Sequence, residues 1–258
     1  MIRDIIFDNK PLKADTFLYL FRINEKITQL FFIFEKYLNL KLKYKYLIYM
    51  RAKNNSPYTA SVTGGGFLFA ETAILLPLLL SDDRAQLLKH EAINNNLLQI
   101  NSESARKRVI AEVCKRYDAM PAEFWNVYMS MSEPDQVIAN LFVILKTYKI
   151  IFDFHFNVAL KRWNSISKSI EKDDVMLELD EISARDTFVD SWSDETKNKL
   201  ASTYLTILRR SGMLNEEGQL NALYCSNPEY YVTIGEPWFL ESCLLQPYEI
   251  EDIKKRIL

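Results

Sequence analysis

Three of the chain's six glycines stand in a row, Gly64-Gly65-Gly66, and the run from Phe67 to Leu80 that follows is almost wholly apolar. Glycine takes up φ > 0 freely and lets a backbone approach another surface closely. The pattern predicts a tight turn feeding a buried helix. Ser, Thr and Tyr precede the glycines, so a phosphate-cradling loop is the second reading. A nucleotide-hydrolysing loop needs a Lys-Ser/Thr pair after its last glycine, and Phe67 and Leu68 stand there instead. Gly64, Gly65 and Gly66 remain a candidate phosphate contact only, through N–H groups near a helix start.

Downstream, apolar residues recur at helical spacing. Ser81-Asp82-Asp83 reads as the cap of a helix from Arg84 to about Asn94, with Ala85, Leu88 and Ala92 on one face. Asn94-Asn95-Asn96 weakens it, and Leu97 to Ile100 makes an apolar turn. Asn101 or Ser102 then caps a second helix to about Tyr117, its inner face Ala105, Val109, Val113 and Tyr117. This outline is a helix-turn-helix. Arg106, Lys107 and Arg108 fall in the first turns of its second helix, and Lys115 and Arg116 at its end. A recognition helix presents such N-terminal residues to the major groove, with Arg and Lys on phosphates and guanine edges. The plainer readings are a solvated basic face, or a helix pair that serves only as packing.

Met120-Pro121 opens a further helix whose Phe124, Trp125 and Tyr128 are expected in the core. Gln136 to Tyr148 and Ile150 to Trp163 form a long apolar pair. His155 within it reads as a structural hydrogen-bonder, and Asp153 has no visible catalytic partner. Composition shifts at Ser165, which predicts a boundary between domains at 50–165 and 166–258. Glu171 to Glu195 is strongly acidic, a solvated face or one that suits a basic protein rather than nucleic acid. Ser193 is the expected N-cap of the next helix, with Leu200, Tyr204, Ile207 and Leu208 buried and Lys197, Lys199, Arg209 and Arg210 placed elsewhere on it. Gly212 ends it, and Met213 to Leu223 reads as a short hairpin, which together outline a winged helix. Glu249 to Ile257 should be a terminal helix. The expected fold is all-α: an N-terminal helical domain containing the helix-turn-helix, and a C-terminal winged-helix-like domain with a short β-hairpin.

Charge and composition narrow the function. The net charge of -2 gives no global attraction to nucleic acid, so such binding must come from a local patch. Cys114, Cys225 and Cys243 have no metal-binding spacing and fit buried thiols in a reducing cytoplasm. The two histidines, His90 and His155, lie far apart, so neither a zinc site nor another cofactor is expected. Charges interrupt Phe17 to Met50, and Phe67 to Leu80 is shorter than the about 20 apolar residues of a bilayer span, so no membrane segment is expected. With no nucleophile–base pair in sight, an enzyme is the weakest class. Met1 to Tyr49 is dense in Phe, Tyr, Ile, Leu and Lys and lacks Gly, Ser and Val. Met50-Arg51-Ala52-Lys53 reads like a fresh protein start, which makes Met50 the expected natural initiator and 1–49 an upstream extension.

These residues resemble a known family. Tyr58-Thr59-Ala60-Ser61, Gly64-Gly65-Gly66 and Glu71 are similar to the N-terminal signature of the BrxA family of BREX phage-defence systems. The likeness continues through Asn96-Leu97-Leu98, Ser104-Ala105-Arg106-Lys107-Arg108, Ile151-Phe152-Asp153-Phe154, Trp192-Ser193 with Thr196, Lys197 and Leu200, then Leu208 and Gly212-Met213-Leu214. It spans most of 57–220 and rests on order and spacing rather than on one motif. It implies a helical, non-enzymatic accessory protein of a multi-gene defence system. The family is described as similar to the NusB antitermination fold and as carrying DNA-binding helix-turn-helix elements. Its older inner-membrane label has no support in these residues. Double-stranded DNA and other BREX proteins are the implied partners. A protein adaptor and a NusB-like RNA-binding protein are the alternatives.

Overall fold

A computed structural model of the chain describes residues 53 and 55–257. The expectations for 1–49 and for a start at Met50 lie outside the described residues. Ser56–Leu258 forms one compact unit, mainly helical. A 3₁₀ turn (Ser61–Gly64) leads into α1 (Phe69–Leu79), α2 (Arg84–Asn94), α3 (Glu103–Asp118), α4 (Ala122–Ser130) and α5 (Glu133–Thr147). The chain continues as α6 (Lys149–Phe154), a π turn (His155–Ala159) and α7 (Leu160–Trp163). It closes with α8 (Lys172–Arg185), α9 (Thr187–Asp190), α10 (Asp194–Arg210), α11 (Glu229–Thr233), α12 (Trp238–Ser242) and α13 (Pro247–Lys255).

Three of these helices start on serine caps. The hydroxyls of Ser102, Ser132 and Ser193 accept from the N–H groups of Ala105, Asp135 and Thr196. Each cap contributes about 1 kcal/mol. At α2 the outcome differs from expectation. Ser81 Oγ accepts from the Asp83 N–H ahead of the helix, and Asp83 at the N-cap makes no side-chain cap.

The core is built around α5. Residues 138–145 are buried without a break, so this helix is covered on all sides and threads the middle of the fold. Phe142 meets Phe124, Tyr231 and Phe239 at ring-centroid separations of 5.7, 5.3 and 4.9 Å. As expected, Phe124, Trp125 and Tyr128 are in this core. One cluster of buried side chains runs from Val62 to Ile253. A smaller cluster, including Leu75, Leu79, Leu88, Ala92, Val109 and Val113, holds α1, α2 and α3 together.

The expected hairpin contracts to a bridge. Leu214 and Leu220 form an isolated antiparallel bridge, a second joins Ser169 to Gln219, and no strand occurs among the described residues. The turn between them is ordered: Gly218 has φ +78°, and Asn215 Oδ1 accepts from the Gln219 N–H at 2.7 Å. Pairing stops because the Leu223 N–H donates to the Cys243 carbonyl and draws the chain towards α12. Nearby, the buried His155 meets the Ser242 carbonyl through Nε2 (2.7 Å) and the Tyr204 hydroxyl at Nδ1 (3.3 Å), so this histidine ties the π turn to α12 and α10.

Candidate nucleic-acid interface

The α2–turn–α3 unit is fastened by two buried charged residues. Glu91 is 2% exposed, and its carboxylate accepts from the N–H groups of Asn96, Leu97 and Leu98. Asn95 ends α2 in the left-handed region at φ 54°, which asparagine tolerates, and its Oδ1 accepts from the Ile100 N–H. Arg106 is 6% exposed and satisfies the opposite set of groups. It donates to the carbonyls of Ala92 (3.0 Å), Ile93 (3.1 Å), Ile100 (2.6 Å) and Asn101 (3.2 Å). A buried guanidinium requires such partners. Arg106 is therefore turned into the fold, where it holds the turn.

Arg116 is likewise turned inward. Its guanidinium donates to the carbonyls of Phe67 and Gly66 and to the Tyr148 hydroxyl, which in turn donates to Glu112. Asn140 on α5 donates to the same Phe67 carbonyl at 2.8 Å. Two helices thus grip the glycine run, and Arg116, 1% exposed, is not available to a ligand.

The geometry accounts for the glycines. A Cβ on Gly65 would lie 2.4 Å from Leu68 Cδ1, Gly66 takes φ +64°, and a Cβ on Gly64 would sit 3.1 Å from Arg108 Cδ. The N–H groups of Gly65 and Gly66 both donate to the Val62 carbonyl. Those two donors are engaged within the turn.

What surrounds the loop is more telling. Arg108 is exposed, its side chain passes Gly64, and no carboxylate pairs with it among the described residues. Lys115, one face-repeat further along α3, donates to Ser61 Oγ at 3.1 Å and lies 4.5 Å from the Tyr148 ring centroid. Partial burial lowers its pKa. Lys107 is exposed but pairs with Glu103. Arg210 and Thr206 of α10 line a cleft of about 470 Å³ together with Gly65, Gly66, Phe69 and Glu71.

Helical geometry sorts the remaining basic residues. At 3.6 residues per turn, Lys199, Thr206 and Arg210 share one stripe of α10. Arg209 is exposed about a quarter-turn away, whereas Lys197 is half-buried near the opposite side. The 3₁₀ turn packs against both α3 and α10. Arg108 and Arg210 thus approach the glycine run from two helices, and Lys197 does not join them.

Among the described residues no group of His, Cys, Asp or Glu could hold a metal ion, and no helix is long and apolar enough to cross a membrane. A family model for BrxA matches residues 56–228. The chain belongs to the BrxA family. The part matched to BrxA contains the glycine run, α3 and α10, and so every basic residue named above. Two relatives carry the name BREX protein BrxA. That of Paramagnetospirillum magneticum is 24% identical over 159 residues, 62% of this chain and 80% of the relative. That of Bacillus cereus is 24% identical over 162 residues, 62% of this chain and 81% of the relative. A crystal structure of an uncharacterized protein from Magnetospirillum magneticum superposes with a TM-score of 0.62 at 22% identity, covering 73% of this chain and 98% of that one. At that identity the likeness speaks for the fold alone.

Three residues that shape the site in this BrxA-family chain escaped the sequence reading: Glu91, Asn140 and Tyr148. Glu91 carried a faint signal, an acid at a helix end just ahead of the orphan N–H groups of a turn. Asn140 and Tyr148 sit in an apolar run, and only the fold brings the Phe67 carbonyl to the one and Arg116 with Glu112 to the other.

Proposed function

We propose that this chain is a non-enzymatic, DNA-binding accessory protein of a bacterial BREX anti-phage defence system, acting on double-stranded DNA alongside other BREX proteins. Family membership supports the defence role. The observation that carries the DNA reading is that Arg108 of α3 lies beside Gly64 while Arg210 of α10 lines a cleft with Gly65 and Gly66. In this reading α2, its turn and α3 act as the helix-turn-helix. The winged-helix-like unit is α10 with the Leu214–Leu220 bridge. Arg108 and Arg210 contact phosphates, with Lys199, Arg209 and Lys107 at the rim and Lys115 supporting the loop.

The same geometry favours recognition of the DNA backbone over reading of bases. The side chains that would enter a groove at the start of α3 are occupied: Arg106 holds the turn and Lys107 is paired with Glu103. Phosphate contacts position a protein on the duplex without carrying sequence information.

A gel shift on two duplexes of unrelated sequence tests this directly. Wild-type protein should retard both to a similar extent, and the Arg108→Ala/Arg210→Ala variant should retard neither at the same concentration. No retardation of any duplex at low salt rejects the DNA reading. Preference for RNA in direct competition would instead favour the NusB-like alternative.

The adaptor reading has one observation of its own. On α8, Asp173, Asp180 and Glu181 are exposed around Leu177, which is 64% exposed. Co-purification of another BREX protein that survives high salt, without any DNA shift, would favour it.

A further inference from the structure

On another part of the compact unit, α7, α12 and α13 enclose a groove of about 370 Å³. Its walls are the indoles of Trp163 and Trp238 with Leu160 and Pro237, and its rim carries Glu241 and Glu251. Most of this lining lies beyond residue 228, where the family match ends. The groove therefore belongs in large part to the C-terminal stretch outside that match.

The two indoles are held differently. Trp238 donates through Nε1 to Glu236 and packs on Phe142 and Phe152 at 5.6 and 5.4 Å, so it is a fixed wall. Trp163 has no hydrogen-bond partner for its buried Nε1–H. It already receives a cation, since Lys168 Nζ lies 3.9 Å from its ring centroid. An indole face attracts cations through the ring quadrupole.

The charges at the rim are unbalanced. Lys254 lines the groove but is bound to Glu251 at 2.9 Å. Glu241 is exposed and has no ion pair among the described residues. The groove thus offers aromatic walls, one of which already carries Lys168, and a carboxylate that forms no ion pair among the described residues.

We propose that this groove is a docking site for an arginine side chain presented by a partner protein, its guanidinium lying against the indoles and paired with Glu241. Arginine suits the site better than lysine because its planar cation is weakly hydrated and stacks on aromatic faces. Its lining shares no residue with the cleft at the glycine run.

The test uses the full chain labelled with ¹⁵N at its four tryptophan indoles. N-acetyl-arginine methylamide is the probe and N-acetyl-norleucine methylamide the uncharged control. Expected is a saturable shift of the Trp163 and Trp238 resonances with the arginine probe and little change with the control. Glu241→Gln should weaken that binding about threefold, as loss of an exposed ion pair does. Unchanged Trp125 and Trp192 resonances would verify that the variant is folded. The proposal is overturned if the arginine probe moves neither groove indole, if the norleucine control moves them equally, or if Glu241→Gln binds as wild type does.

Discussion

Arg106 donates its Nε–H to the Ala92 carbonyl at 3.0 Å, tying the first turns of α3 to the end of α2. Its other donors reach Ile93, Ile100 and Asn101, so a single guanidinium satisfies four carbonyls around the turn. The residue that looks most like a base reader in the sequence is thus part of the frame that holds α3.

Arg106→Ala should therefore act first on stability. It leaves buried carbonyls unmet, and each such loss costs about 1–3 kcal/mol, part of it recovered by water. We expect a net loss of about 3 kcal/mol in urea unfolding, with little rescue by Arg106→Lys, because an ammonium cannot reproduce the forked geometry. A variant as stable as wild type would remove Arg106 from this structural role.

The glycine run predicts a graded series. Gly66 has open space for a Cβ but φ +64°, so Gly66→Ala should cost about 1–2 kcal/mol in backbone strain alone. Gly65→Ala should cost more, because the new methyl would lie 2.4 Å from Leu68 Cδ1, and Leu68 is 8% exposed with its backbone at φ 47°. Thermal unfolding of the two variants checks the order, and the reverse order contradicts the geometry.

The caps at Ser102 and Ser193 and the buried side of α10 were legible because they depend on local chemistry and helical spacing. The inward turn of Arg106 was not. Arg106, Lys107 and Arg108 are the same kind of residue, and only the placement of the α2 carbonyls distinguishes them. The acidic run also concealed α8, whose Val175, Leu179 and Ile182 are buried at helical spacing. Arg108 and Arg210 meet at the glycine run only through tertiary packing, which no local pattern encodes. The hairpin stayed short because of a long-range bond, Leu223 to Cys243, invisible in the sequence of the turn.

His155 gives a pH dependence of defined sign. Burial lowers its pKa to about 4 in the folded chain, against about 6.5 unfolded. Between these values the unfolded chain binds the extra proton, so stability falls as pH drops from about 6.5 towards 4. The full effect amounts to about 3 kcal/mol, given about 1.4 kcal/mol per pKa unit. Urea titrations at a series of pH values should show a flatter acid limb for His155→Gln than for wild type. Identical limbs would mean that His155 does not set this dependence.

Salt dependence separates framework residues from contact residues. If Arg108 and Arg210 each neutralise a phosphate, the log–log slope of DNA affinity against salt should become shallower by about 0.9 for each one removed. Arg108→Ala/Arg210→Ala should thus lose about 1.8 in slope while keeping near wild-type stability, since both side chains are exposed and unpaired among the described residues. Arg106→Ala, assayed at a temperature where it remains folded, should retain the wild-type slope. Binding isotherms from 50 to 200 mM salt measure both. A slope that drops for Arg106→Ala and not for the double variant would move the DNA contact from the outer face of α3 and α10 back to the turn.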